Sequence, residues 1–272
     1  LNVFPEQPGS VQSLGELGQS YLNLQDKLYL QVAVQELTDR YGTQPRFREE
    51  AGNALVRLAK AAGDIRDAES VAWLNQLFFA KFADHRQAAS MIYQAGEREW
   101  GNENFDLAAA YYARVTSSYT NAAVYLAALN RLAACQTRLA DWTNAAETLS
   151  RYVAELSFGP ALAAARFRLA ESYRQMERLV PAINEYYRLV KGLTEEEAKY
   201  GATAEEKAAN RILLEQAMFW KAYCYSRLRE PADRIPAHQA KAVEDYAAFL
   251  AAFPKSTLAP NALSSMGVLL LI

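Results

Sequence analysis

Residues 242–254 read Ala242-Val243-Glu244-Asp245-Tyr246-Ala247-Ala248-Phe249-Leu250-Ala251-Ala252-Phe253-Pro254. Ala242, Tyr246 and Phe249 stand at offsets 0, 4 and 7, which is one face of a helix. Pro254 comes twelve residues after Ala242, where such a helix should stop. The pattern recurs upstream. Ala33, Ala68, Ala108, Ala145 and Ala182 each follow a short turn and begin a similar helical stretch. Leu37, Tyr112, Leu149 and Tyr186 take the fourth place after the alanine, and Val115, Tyr152 and Leu189 the seventh. The six alanines are spaced by 35, 40, 37, 37 and 60 residues. Four of these intervals are near one helical hairpin of about 34 residues, and the fifth is a hairpin with an insertion.

The helix before each alanine has its own signature. Gly96, Ala133 and Ala170 lie twelve residues ahead of it, and a small residue there lets two helices approach closely. The step from a small residue to Tyr three places on links Gly18 to Tyr21, Ala170 to Tyr173 and Ala222 to Tyr225. Gly63-Asp64, Gly101-Asn102-Glu103-Asn104 and Ala140-Asp141-Trp142 read as polar turns joining antiparallel helices. The copy around Ala68 departs by having Val56 at the small position, and the first copy has a turn about three residues too long. Pro45 and Pro254 mark helix stops, and Pro160, Pro181 and Pro260 mark helix starts. Pro231 and Pro236 fall in the insertion, and Pro5 and Pro8 at the N-terminus. None of the nine prolines falls inside an expected helix, where one costs about 3 kcal/mol. The expected helix pairs are 11–42, 46–83, 85–119, 121–157, 160–192 and 204–253, followed by a lone helix at 258–272. Insertions are expected at 193–203, as a short extra helical turn, and at 229–239, as a Pro-containing loop. Thr203 and Glu206 form a capping-box pattern. The acidic run Glu195–Glu197 reads as a solvated helix start.

Composition narrows the function. The 272 residues are 51% hydrophobic and 22% charged, with mean hydropathy -0.19, which excludes intrinsic disorder. A net charge of -2 supplies no field for nucleic acid, so no nucleic-acid partner is expected. No apolar run reaches the roughly 18 residues of a membrane-spanning helix. Two cysteines, Cys135 and Cys224, show no metal spacing and read as small core residues, two repeats apart and unable to form a disulfide. His85 begins a helix and His238 lies in a loop, so neither has a partner for acid–base chemistry. No P-loop, GxGxxG, HExxH or GxSxG pattern is found. No catalytic residue, metal or cofactor is expected.

These residues resemble the tetratricopeptide repeat family over roughly 11–272. The best copy reads Ala242-x3-Tyr246-x2-Phe249-x4-Pro254. The junction Phe249-Leu250-Ala251-Ala252-Phe253-Pro254-Lys255-Ser256, followed by Ala259-Pro260-x-Ala262, resembles repeats of bacterial cell-envelope proteins. The resemblance implies an all-α fold, a right-handed α-solenoid of stacked antiparallel helix pairs, forming one array. It also implies a concave groove lined by the first helix of each pair. Carried over residue by residue, the groove candidates are Tyr93, Trp100, Asn130, Arg138, Phe167, Arg174, Phe219, Tyr223 and Arg227. Aromatic and Arg side chains are the types that anchor protein interfaces. Tyr112, Tyr173, Tyr186 and Tyr246 are expected in the core. Phe167, Phe219 and Tyr223 fit either the groove or packing against an adjacent helix. Arg138, Arg174 and Arg227 recur at one place in successive first helices, where groove contact and solvated or intrahelical pairing both fit.

The function this implies is a scaffold that binds a protein or peptide in the groove, in the periplasm or cell envelope of a bacterium, with the cytoplasm as the alternative. Two other readings stay open: a regulatory or substrate-presenting arm of a larger enzyme, and a component of a secretion assembly. Chaperone-tail binding is not expected. The positions that would clamp a C-terminal carboxylate are Asn53/Arg57, Tyr93/Glu97, Asn130/Ala134, Phe167/Glu171 and Phe219/Tyr223, and Glu97 and Glu171 would repel it. A start at Leu1 and the apolar ending Ser265–Ile272 point to a piece of a longer polypeptide, with further repeats or another domain beyond it.

Overall fold

A computed structural model describes residues 9–157, 159–195 and 203–271. Pro5, Pro8, Glu196, Glu197, Ile272 and most of the expected insertion at 193–203 lie outside them. The described residues are all-α and hold no strand. The helices are α1 (Ser10–Asn23), α2 (Lys27–Gln35), α3 (Pro45–Asp64), α4 (Ala68–Lys81), α5 (Ala88–Gly101), α6 (Phe105–Ser118) and α7 (Tyr125–Arg138). They continue with α8 (Trp142–Glu155), α9 (Pro160–Gln175), α10 (Leu179–Glu195), α11 (Ala204–Arg227), α12 (Ile235–Ala252) and α13 (Ala259–Leu270). A π-helical turn at Glu36–Tyr41 prolongs α2, and a 3-10 turn at Ala232–Arg234 precedes α12. Helices pack as consecutive pairs, which is the α-solenoid architecture. The chain divides into two compact units, Leu1–Ala95 and Gly96–Ile272.

One turn is built five times. The residue closing the first helix is left-handed: Gln25, Arg66, Glu103, Ala140 and Glu177, with φ of 57, 60, 61, 56 and 56°. The next backbone N–H reaches back five residues, as in Asp26 to Tyr21 at 2.9 Å, Asp67 to Ala62 at 2.9 Å and Asp141 to Gln136 at 2.9 Å. This is the Schellman closure, which satisfies carbonyls left open at a helix end. Asp26, Asp67 and Asp141 then cap the second helix by accepting from the backbone of Tyr29, Ser70 and Asn144. A left-handed L-residue costs about 1–2 kcal/mol relative to its right-handed form, and glycine escapes that cost. Ala140 is exposed and makes no side-chain contact that glycine would lose. Ala140→Gly should therefore raise stability by about 1 kcal/mol, read as a higher urea midpoint. An unchanged or lower midpoint would contradict this account of the turn.

These turns set the true repeat register and correct the one read from alanines. Counting from the capping residue, the fourth position is Leu30, Val71, Ala108, Ala145 and Ala182. The eighth is Val34, Asn75, Tyr112, Leu149 and Tyr186, and the eleventh is Leu37, Phe78, Val115, Tyr152 and Leu189; all ten are buried. Ala33 therefore lies three residues late, and Ala68 three residues early at an exposed helix start. The cause is at Gly63-Asp64. Helix α3 runs through both residues, and the chain turns at Ile65-Arg66-Asp67 instead. With that shift, the small position eight before the cap holds Gly18, Ala59, Gly96, Ala133 and Ala170. The apparent departure at Val56 disappears. The first copy's turn is not too long either, since Leu30 and not Ala33 holds the fourth position; a π turn follows, where Gly42 N–H bonds Leu37 O at 2.8 Å. Part of the 229–239 loop is also helix, since α12 starts at Ile235 with Pro236 in its first turn.

Packing follows the register. In the C-terminal unit, Ala170, Ala182, Tyr186 and Leu189 of one pair form a core with Ala217 and Cys224 of α11. Phe219, Ala222, Tyr246 and Phe249 form the next core, joined by Ala262 of α13. Each fully buried large apolar side chain contributes roughly 1.5–3 kcal/mol. Tyr112, Tyr186 and Tyr246 are fully buried, whereas Tyr173 is only half-buried, its hydroxyl 3.5 Å from Ser150 Oγ.

Candidate surface for protein binding

The first helices carry the polar chemistry. In the N-terminal unit, α1 and α3 lie side by side: a Cβ at Gly15 would sit 3.4 Å from that of Ala54. Above this contact opens a cleft of about 630 Å³, lined by Gln12, Glu16 and Gln19 of α1 and by Glu50, Asn53 and Arg57 of α3. Glu50, Asn53 and Arg57 recur at i, i+3 and i+7, one face of α3. None of the three has a hydrogen bond or ion pair among the described residues. Among the described residues, the Glu16 carboxylate accepts only the Gln12 side-chain amide, at 2.9 Å.

In the C-terminal unit, two carboxylates on first helices are internally engaged. Glu97 accepts from Tyr112 Oη at 2.5 Å and from Arg131 Nη2 of α7 at 2.8 Å. Glu171 accepts from Tyr186 Oη and takes both Nε and Nη2 of Arg174, at 2.7 and 2.9 Å. Burial, and then Glu97, pushes the Tyr112 hydroxyl pKa far up; burial and Glu171 do the same for Tyr186. The hydrogen bond to Glu171 holds the Arg174 guanidinium pKa well above its ordinary value. The intervening pair has Ala134 and Leu149 where its neighbours have Glu and Tyr. Arg168, the counterpart of Arg131, therefore finds the Asn130 side-chain oxygen at 2.8 Å and no carboxylate. Its Nη2 is buried without a partner, and burial lowers its pKa.

Several groove candidates come together here. Trp100 and Phe105 meet edge to face at 5.1 Å, with Arg131 over the Trp100 ring at 5.0 Å. Arg138 lies over both rings, at 6.0 and 5.6 Å. Asn130 is exposed and tied to Arg168. Arg174 stands one residue earlier in its helix than Arg138 and Arg227 do, so the three do not recur at one place. It stacks over Trp220 at 4.1 Å, and Trp220 meets Tyr223 edge to face at 5.4 Å. Arg227 is exposed. Tyr93 is half-buried on α5 in the N-terminal unit. Phe219 must be withdrawn from the groove: it is buried against Tyr246 and Phe249 at 5.8 and 5.7 Å. Phe167 is half-buried, packed edge to face on Tyr186 at 6.0 Å. Glu16, Glu50, Asn53 and Arg57 were outside the candidate set. The signal for them was Asn53 and Arg57 four apart on one helix face, obscured by the three-residue slip at Gly63.

Cys135 and Cys224 are free and buried. Burial pushes their thiols up to about 11 and about 12. The folded chain should resist a thiol-specific disulfide reagent at pH 8 and react only once denatured. Because the unfolded thiols ionise first, near 9.0, stability is full below that pH and falls as pH rises through it. A denaturant midpoint that rises between pH 8 and 10 would contradict the burial.

Among the described residues, no three His, Cys, Asp or Glu side chains gather as a metal site. No described helix is long and apolar enough to cross a membrane. Consecutive helix pairs with one register, one turn and one packed face define a helical-repeat protein. Residues 216–256, which take in the second half of α11 and the whole of α12, match the tetratricopeptide repeat family, so the resemblance read from Ala242, Tyr246 and Phe249 is shown. No curated protein matches the chain. Among solved structures, the chain is similar to PilW, a widely conserved type IV pilus biogenesis factor, at 13% identity and a TM-score of 0.42, covering 94% of this chain and 100% of that one. It is also similar to the APC/C hetero-tetramer Cut9-Hcn1, at 15% identity and a TM-score of 0.40, covering 96% of this chain and 43% of that one.

Proposed function

We propose that the chain is a non-catalytic scaffold that binds a partner protein through side chains presented by its first helices. One observation carries this reading. The second helices close the core with buried side chains, while the first helices present polar groups with no partner, namely Glu50, Asn53 and Arg57. Unpaired polar groups lining a cleft offer hydrogen bonds and charge to an incoming chain. The cluster of half-buried Trp100 and Phe105 with exposed Arg138 adds the residue types that anchor interfaces. The setting we propose is a bacterial envelope assembly, on the strength of the junction at 249–262.

Photo-crosslinking from defined positions tests the face. A benzophenone amino acid at Asn53 or Asn130 should trap one partner in cells. The same group at Glu147, exposed on the second helix α8, should trap none. Equal trapping from Glu147 would remove the first-helix face as the binding surface.

A further inference from the structure

The α1–α3 cleft is polarised along its length. Gly15 opposite Ala54 fixes the level of the two helices, so Glu16 lies between the levels of Glu50 and Arg57. Glu50 therefore stands toward the N-terminal end of α3, and the Arg57 guanidinium stands at the level of Gly15, its Nη2 3.7 Å from where a Cβ there would lie. Glu50 and Arg57 are seven residues apart on one face, about 10 Å along a helix. That distance explains why they do not pair with each other. It also matches about three residues of extended chain, at about 3.3 Å each. Between them Asn53 offers both a donor and an acceptor, which suits a backbone amide.

We propose that this cleft holds an extended peptide segment carrying one basic and one acidic side chain about three residues apart. The basic group meets Glu50, and the acidic group meets Arg57. The proposal rests on the scaffold reading and names the partner chemistry of its N-terminal part. Charge complementarity selects this occupant. A uniformly acidic peptide would meet the unpaired Glu50 carboxylate, and a uniformly basic one would meet Arg57. Because the cleft is open, the segment's direction is left for the measurement to decide.

Three fluorescein-labelled octapeptides on a Gly/Ser background form the probe: Lys-x-x-Glu, Glu-x-x-Lys and Gln-x-x-Gln. Fluorescence polarisation with the full chain should show one charged order binding at least tenfold tighter than the neutral peptide. That preference should weaken with added salt. The doubly reversed variant Glu50→Arg/Arg57→Glu, checked for native helicity, should prefer the other order. Equal binding of all three peptides, binding of none at millimolar concentration, or an order unchanged by the reversal would each overturn the assignment. Crosslinking from Asn130 that survives such a result would leave the scaffold reading standing without this cleft chemistry.

Discussion

Tyr186→Ala should cost about 4 kcal/mol, within the range for truncating a fully buried aromatic side chain. Tyr186 is 0% exposed at the centre of a core shared by α9, α10 and α11, so the void is walled on every side. The substitution also strips Glu171 of its hydroxyl donor and leaves Phe167 without its edge contact at 6.0 Å. For a chain of this size the loss amounts to about 10 °C in thermal midpoint. Tyr186→Phe separates the two contributions. It keeps the ring and removes only the bond to a carboxylate, which is worth roughly 1.5–3 kcal/mol. Calorimetry and urea titration of both variants decide the matter. A Tyr186→Ala loss below about 1 kcal/mol would mean that the core collapses around the vacancy.

Tyr186 shows why much of the fold was legible in the sequence. Pairs three to five hold an unbroken interval of 37 residues between Ala108, Ala145 and Ala182, and their turns carry Asn104, Asp141 and Arg178 at one place. Small, then large four and seven residues later, is a packing requirement, and it survives as a pattern. The first two pairs hid it. Leu30 and Val71 occupy the small position there, and the nearest alanines, Ala33 and Ala68, lie three residues to either side of it. A glycine inside α3 was read as a turn, although glycine in a helix costs only about 1 kcal/mol and can be outweighed by packing. At Gly52 and Gly18 that packing is visible: a Cβ would lie 2.5 Å from His85 and 3.2 Å from Leu58. The π turn at Glu36–Tyr41 leaves no mark in composition, since it is a change of hydrogen-bond partner.

The proposed binding face was less legible, for a physical reason. Periodicity tells which residues face inward, and burial follows from that. Whether an outward polar side chain is free depends on contacts made across repeats. Glu97 and Glu171 look like open negative charge in the sequence, yet each is held by a buried tyrosine and an arginine. Glu50 and Arg57 look like an ordinary solvated helix face, and they are the groups left without partners. Phe219 and Phe167 carry the residue type of an anchor but pack on Tyr246 and Tyr186.

Gly52→Ala sets two effects of known size against each other. On helix propensity alone it should stabilise α3 by about 1 kcal/mol. Sterically it places a carbon 2.5 Å from Cδ2 and 2.9 Å from Nε2 of His85. His85 has little freedom to yield. Its ring is buried, meets Phe78 edge to face at 5.4 Å, accepts the Gln87 N–H at 3.2 Å and lies 3.3 Å from Glu49 O. Overpacking of this kind costs typically 1–3 kcal/mol, so the clash wins and the net effect is a loss of about 1 kcal/mol. Gly52→Val adds branching at the crowded carbon and should lose about 3 kcal/mol. Gly63→Ala is the control in the same helix. Its new carbon meets only Val71, at 3.9 Å, and it should gain stability by propensity. Removing the obstacle supplies the decisive comparison. In the His85→Ala background Gly52→Ala should turn from destabilising to neutral or stabilising, giving a coupling energy near 2 kcal/mol in a double-mutant cycle. Additive effects of the two substitutions would mean that α3 shifts to accept the side chain and that the contact with His85 does not fix the position of this helix.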